Sequence, residues 1–180
     1  MFDFLKRLFA KPQPVRAAGI FFSDDRHLLG AYQKKNGRLI ISGLGGKQED
    51  SDPTLYYTAV RETLEELYDI QPSSGLINQI IHALKPHVTI DVEGYANFYL
   101  SFDQLTSLME MVAADTTSPI YRTMPKTLTE LIQNRRPLPN SEITALALMP
   151  MEANANIDPG FNTDIQQFKG LIAPRISIPI

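Results

Sequence analysis

Apolar and polar positions along this chain recur with two different periods, and each change of period marks an element. Residues 16–23 contain Ala17-Ala18-Gly19-Ile20-Phe21-Phe22, a short unbroken apolar run that predicts a strand. Asp24 and Asp25 turn the chain, and residues 27–33 predict the other arm of a hairpin. A second turn at Lys34, Lys35, Asn36 and Gly37 leads into a strand over 39–42. Over 54–68 the period becomes helical, with Tyr56, Ala59, Val60, Thr63, Leu64 and Leu67 on one face. Ser51 and Asp52 stand just ahead of Pro53, a capping side chain followed by a proline that the first turn of a helix tolerates.

Beyond Gln71 and Pro72 the signal weakens. It predicts a short helix or mixed segment over 76–84, and strands over 87–92 and 95–102 broken at Glu93 and Gly94. Helices follow over 103–114 and 126–135, then a strand over 142–149 and a last helix over 162–172. At the other end, Met1, Phe2, Phe4, Leu5, Leu8 and Phe9 share one helical face opposite Asp3, Lys6 and Arg7, until Pro12 and Pro14 end the segment. Residues 1–14 therefore read as an amphipathic helix and linker ahead of a domain over 15–180. Packing of that helix on its own domain, or on the twin subunit of a homodimer, is favoured over contact with a membrane surface, although interfacial helices share the pattern. The tail over 174–180 suits a sheet edge, because Pro174 and Pro179 cannot donate to a ladder on both sides.

Composition narrows the picture. With 180 residues, 43% apolar and 21% charged, the chain is an ordinary globular domain and not a collagen-like or disordered one. Its 17 basic and 20 acidic side chains give a net charge of -3, which offers no field for general nucleic-acid binding and favours a small, locally recognised ligand. The absence of cysteine excludes disulfides, thiol catalysis and Cys-based zinc sites. No apolar run has the length of a spanning helix, and the first residues are too charge-interrupted for a secretory signal, so a cytoplasmic location is expected. His27, His82 and His87 have no metal-ligand spacing.

The chemistry concentrates on the 54–68 helix. At about 100° per residue Glu62, Glu65 and Glu66 fall within a narrow arc, beside Arg61. Glu62 and Glu66 are a like-charged i,i+4 pair, and Glu65 and Glu66 lie near the negative end of the helix dipole, each effect costing about 0.2–1 kcal/mol. Arg61 offsets one charge but is not expected to bridge the whole arc. A hard divalent cation, which prefers oxygen ligands, fits the remainder; a solvated acidic face is the alternative for the helix alone. Gly45, Gly46 and Lys47 lie one short loop upstream, where glycine backbone can approach the carboxylates and offer carbonyl or amide groups.

Together Gly46, Asp52 and Arg61-Glu62-Thr63-Leu64-Glu65-Glu66 make the sequence resemble the Nudix hydrolases. Asp52 stands where that family has Glu, one extra residue separates it from Arg61, and Tyr68-Asp69 replaces the usual glycine and apolar residue. The resemblance implies a Nudix-type α/β/α sandwich with a mixed sheet, to which residues 103–139 look like an added helical segment. It also implies that Glu62, Glu65 and Glu66, with the Gly45 carbonyl, hold Mg²⁺ or Mn²⁺. Glu62 would be a ligand or the base that deprotonates water, and Arg61 would hold it in place. Substrate-binding candidates are Lys34, Lys35 and Arg38 for phosphates, Gly46 and Lys47 in the glycine stretch, and Glu142 as an additional acid, with Asp91 and Glu93 behind it. Tyr32, Tyr95, Phe98 and Tyr99 are expected in the core more than against a base.

The activity implied is divalent-metal-dependent hydrolysis of a pyrophosphate bond in a small substrate built on a nucleoside diphosphate: a nucleotide, a dinucleotide or a nucleotide sugar. RNA enters only if the substrate is a cap. The alternative is a Nudix-like binding or scaffold module with weak or lost catalysis, for which the imperfect motif and the 103–139 segment speak.

Overall fold

A computed structural model describes residues 16–24, 26–92, 94–152 and 156–172; the expected N-terminal helix, Glu93 and the 174–180 tail lie outside these. The order of elements is β1 (Ala17–Ser23), β2 (His27–Lys35), β3 (Arg38–Ser42), β4 (Leu44–Lys47), α1 (Leu55–Tyr68), α2 (Ser74–Ala83), β5 (Val88–Val92), β6 (Tyr95–Ser101), α3 (Phe102–Asp115), α4 (Leu128–Gln133), β7 (Ile143–Pro150) and α5 (Pro159–Ile172). The glycine stretch is the main departure from expectation. It forms strand β4 and not an open loop, pairing antiparallel with β1 so that Gly45 lies opposite Gly19.

One mixed seven-stranded sheet results, running β3-β2-β1-β6-β5, with β4 beside β1 and β7 beside β2. β1 and β6 are parallel, Gly19 opposite Asn97, and the other pairings are antiparallel. β1 touches β2 only at the hairpin end, through Ser23 and Leu28, while β4 takes the place beside β1 at the other end. The sheet is therefore split between β2 and β4, and the candidate site lies at that split.

Alternate residues of β1 go to opposite faces, as strand geometry requires. Ile20 and Phe22 enter a cluster with Val60, Leu64 and Leu67 of α1 and Leu105 and Val112 of α3; Phe21 joins Tyr99, Met149, Phe161 and Phe168 on the α5 face. Because both faces are covered, β1 is an unbroken apolar run and not an alternating one. Residues 103–139 contribute Leu105, Leu108, Met109, Ile120 and Leu131 to the larger cluster, so they are continuous with the core. Among the described residues no helix is long and apolar enough to cross a membrane.

α1 is capped locally at its start and from elsewhere in the chain at its end. Thr54 is its N-cap, accepting from the Tyr57 N–H, which frees Asp52 to turn inward instead of capping. At the other end Asp69 takes the left-handed conformation (φ 53°, ψ 47°) that a glycine would adopt more easily, and the Ser141 hydroxyl donates to its carboxylate at 2.8 Å. Arg135 donates to the carbonyls of Glu66 and Leu67, and the Ser118 hydroxyl to that of Tyr68. α1 has no basic residue in its own last turn, so Arg135 supplies the cation that its dipole favours there.

Leu64 is fully buried where α1 meets the sheet. Leu64→Ala should lower unfolding free energy by about 2–5 kcal/mol, measured as a lower urea midpoint at unchanged slope.

Candidate active site

Arg61 organises one side of the site. Its guanidinium donates to Asp52 at 2.9 Å, to Glu65 at 3.1 Å and to the Lys47 carbonyl at 3.0 Å, and lies 3.0 Å from Glu62. Arg61 reaches two acids of the arc, Glu62 and Glu65, where one was expected, with Glu49 at 3.8 Å beyond, but as expected it does not bridge the whole arc. Asp52 has a side chain closed to solvent and also accepts from the Thr58 hydroxyl and the Glu49 N–H. Burial alone would raise its pKa, but Arg61 and these donors outweigh burial and hold the carboxyl below its ordinary range. The longer Asp52-to-Arg61 spacing is absorbed in this contact.

Glu66 lies outside Arg61's reach. Its carboxylate spans the split in the sheet, accepting from the Gly45 N–H on β4 at 2.7 Å and from Gln33 on β2 at 3.2 Å. Burial pushes its pKa well above the ordinary value; Glu142 and Glu62 push the same way, while the Gly45 amide and Arg135 pull down without overcoming them. Burial likewise raises Glu62, with Arg61 opposing and Glu65 and Glu142 adding to the rise. Two glycines make this approach feasible. Gly45 has φ 148°, and a Cβ on Gly46 would overlap the Glu62 carboxylate. The contact shown for Gly45 is through its N–H, whereas the resemblance gave a role to its carbonyl.

The carboxylates face a cleft of about 220 Å³ whose walls include Glu62, Glu65, Glu66, Arg135, Ser141 and Glu142. Among the described residues no three acidic or histidine side chains are gathered around one point as a ready-made metal site, since Glu62 and Glu65 are turned onto Arg61. The donor chemistry nevertheless fits a hard cation: every candidate ligand is an oxygen, and Glu66 carries a buried, electrostatically disfavoured charge with no side-chain cation bonded to it.

No family model matches this sequence, and no curated protein does. Solved structures match in shape. A bifunctional NMN adenylyltransferase/ADP ribose pyrophosphatase from Francisella tularensis, complexed with AMP and a Mn ion, superposes with a TM-score of 0.51 at 13% identity over 94% of this chain and 46% of its own. A NUDIX family hydrolase from Clostridium perfringens gives 0.42 at 15% identity, over 89% of this chain and 99% of that one. A NUDIX hydrolase from Nitrosomonas europaea gives 0.45 at 12%, over 88% and 90%. This chain shares the fold of the part of the Francisella protein that it superposes on. It spans about half the length of the Francisella protein.

A larger cavity of about 520 Å³ opens on the α5 face. Gly45, Gln33 and Glu142 border it, so it begins where Glu66 is anchored, and it runs inward past Tyr95 to Asn97, Phe161 and Asp164. Lys35 stands at its rim, bonded to Asp158 at 3.0 Å. Of the other candidates, Arg38 borders a shallow neighbouring pocket, Lys34 and Lys47 are exposed and border neither cleft nor cavity, and Glu142 borders both. Phe98 and Tyr99 are buried in the core and Tyr32 packs on it, as expected, but Tyr95 borders the cavity. Gln33, Asn97, Arg135 and Asp164 escaped the sequence reading, because each sits in a different element with no spacing to link it to the acidic helix.

A carboxylate whose folded pKa is depressed stabilises the fold above its unfolded value, near 3.9, and loses that contribution as pH falls through the folded value. Asp52→Asn should therefore cost about 1–3 kcal/mol at neutral pH by removing one of Arg61's charged partners. The gap between variant and wild type should close below about pH 4, as read from thermal unfolding across a pH series.

Proposed function

We propose that this protein hydrolyses a pyrophosphate bond in a small substrate containing a nucleoside diphosphate, with Mg²⁺ or Mn²⁺ held by Glu62, Glu65 and Glu66. The observation that carries the reading is the Glu66 carboxylate, buried among oxygen donors and placed where the acidic cleft meets the larger cavity, its pKa raised by burial first and by Glu142 and Glu62 after it. A hard cation bound there neutralises charge developing on the phosphates and makes a water nucleophilic.

The chain's own residues prepare the site. Arg61 orients Glu62 and Glu65 from one side, while Gly45 and Gln33 fix both oxygens of Glu66 from the other. Glu62, half-buried with a raised pKa, is the base best suited to take a proton from water. Lys35, at the cavity rim, is the nearest candidate for a phosphate contact, in exchange for Asp158. The size and concavity of the cavity favour a small nucleotide over an RNA chain. The ADP ribose pyrophosphatase named for the Francisella structure, seen with AMP and Mn, is in keeping with this reaction class.

Cleavage of a panel of nucleoside triphosphates, dinucleotides and nucleotide sugars should require Mg²⁺ or Mn²⁺ and vanish with chelator. Glu65→Gln and Glu66→Gln should each lower kcat by about 100-fold or more at unchanged thermal stability or better; full activity in both would remove the site assignment. Calorimetry with metal alone separates the enzyme from a non-catalytic module, which would bind no divalent ion.

Gly46→Ala gives a finer test. The new Cβ displaces only the end of a flexible glutamate, so stability should change by less than about 1 kcal/mol while kcat falls, measured by melting temperature and steady-state kinetics on the same preparation.

A further inference from the structure

Tyr95, expected in the core, borders the 520 Å³ cavity instead. It opens β6 opposite Ala17 of β1, and its side chain reaches along the sheet to Gly19 and Gly45. A Cβ on Gly19 would come within 2.5 Å of the Tyr95 hydroxyl oxygen, and one on Gly45 within 2.6 Å. These two glycines are cross-strand partners on β1 and β4, so the hydroxyl rests on bare backbone. The amide of the same Gly45 holds the Glu66 carboxylate at 2.7 Å. Tyr95 thus brings a hydroxyl over the residue that anchors the acidic site, on the side where the cavity opens.

The charges that act on this hydroxyl are those of Glu66, Asp164 and Glu62, and Glu142 borders the same cavity. A phosphate bound in such surroundings needs hydrogen-bond donors as well as a cation. Three donors bordering the cavity are already spent: Gln33 and the Gly45 N–H on Glu66, and Lys35 on Asp158. The Tyr95 hydroxyl bonds to no other described residue. A phenol has an ordinary pKa of about 10. Burial first, and then Glu66, Asp164 and Glu62, push it higher, so the group keeps its proton at neutral pH and is a donor.

Resting on the reading of this site as a metal-dependent pyrophosphate hydrolase, we propose that Tyr95 is a further catalytic residue, its hydroxyl donating a hydrogen bond to a phosphoryl oxygen of the bound diphosphate. The contact lies where the acidic cleft meets the cavity, over Gly45 and beside Glu66. A diphosphate that reaches from the acidic helix into the cavity passes this point. The hydroxyl gives up no proton in the reaction. It supplies a fixed dipole that strengthens as negative charge builds on the phosphoryl oxygens, and, being neutral, it adds no cation to compete with a metal ion for the glutamates.

Tyr95→Phe in the full-length protein removes the hydroxyl and keeps the ring. For the best substrate of the panel, kcat/KM should fall about 10–100-fold, the range of one hydrogen bond to a charged group. Melting temperature, and Mn²⁺ affinity by calorimetry without substrate, should stay at the wild-type values. Tyr99→Phe, on the same strand but packed in the core, is the control and should keep wild-type rates. Methylenediphosphonate, an uncleavable diphosphate that carries no nucleoside, reads binding apart from turnover. Titrated as its Mn²⁺ complex, it should bind the wild type about tenfold or more tightly than Tyr95→Phe. Equal kcat/KM in the two proteins, or equal affinity for the diphosphonate, overturns the assignment. A Tyr95→Phe protein that fails to fold or loses Mn²⁺ affinity gives the hydroxyl to the scaffold and overturns it too. Diphosphonate binding that depends on Tyr95 in a protein that cleaves no substrate supports the contact and removes the reaction.

Discussion

The guanidinium of Arg61 is the constraint on which the site depends. It sits in the middle of α1 yet bonds backward to Asp52 and the Lys47 carbonyl and sideways to Glu62 and Glu65. Those contacts fasten the end of β4 and the segment after it onto the helix face. A planar, permanently charged group with several donors can do this, whereas the point charge of a lysine could satisfy only part of the set. The acids that it binds are thereby held close to one another despite their mutual repulsion.

Glu66 is the counterpart, the one acid of the α1 arc that Arg61 does not touch. It reaches across the gap between β2 and β4 and is bonded there to an amide on each side, so the split in the sheet and the buried carboxylate explain each other. Its charge is moderated by Arg135, whose guanidinium occupies the C-terminal end of α1 beside it and whose own segment, 103–139, is built into the core. A region that reads as an addition along the sequence thus braces the acidic helix in space. The same end of the helix tolerates Asp69 in a left-handed conformation because Ser141 secures its side chain.

Much of the fold was legible because it rests on local periodicity. The β1–β2 hairpin, the α1 helix with its buried face and the late strand β7 are each specified within a dozen or so neighbouring residues. The glycine stretch was legible as a place of close backbone approach but not as a strand, since Gly45 and Gly46 gain their partner only when β1 is beside them. That Arg61 leaves part of the arc unpaired was legible, but its bonds to Asp52 and the Lys47 carbonyl were not, because helical spacing alone says nothing of the chain that folds back over it. Arg135, Gln33, Asn97 and Asp164 were invisible, because they are isolated polar residues in separate elements and acquire meaning only through burial.

By itself the sequence determined the periodic elements, the absence of cysteine chemistry and the concentration of carboxylates on one helical arc, all of which follow from residue type and short-range spacing. Tertiary structure decided which of those carboxylates is neutralised and which remains in deficit, where the sheet opens, and what lies at the depth of the cavity. The physical reason is that charge and hydrogen-bonding capacity are properties of residues, whereas desolvation and pairing are properties of the space that distant residues close around them.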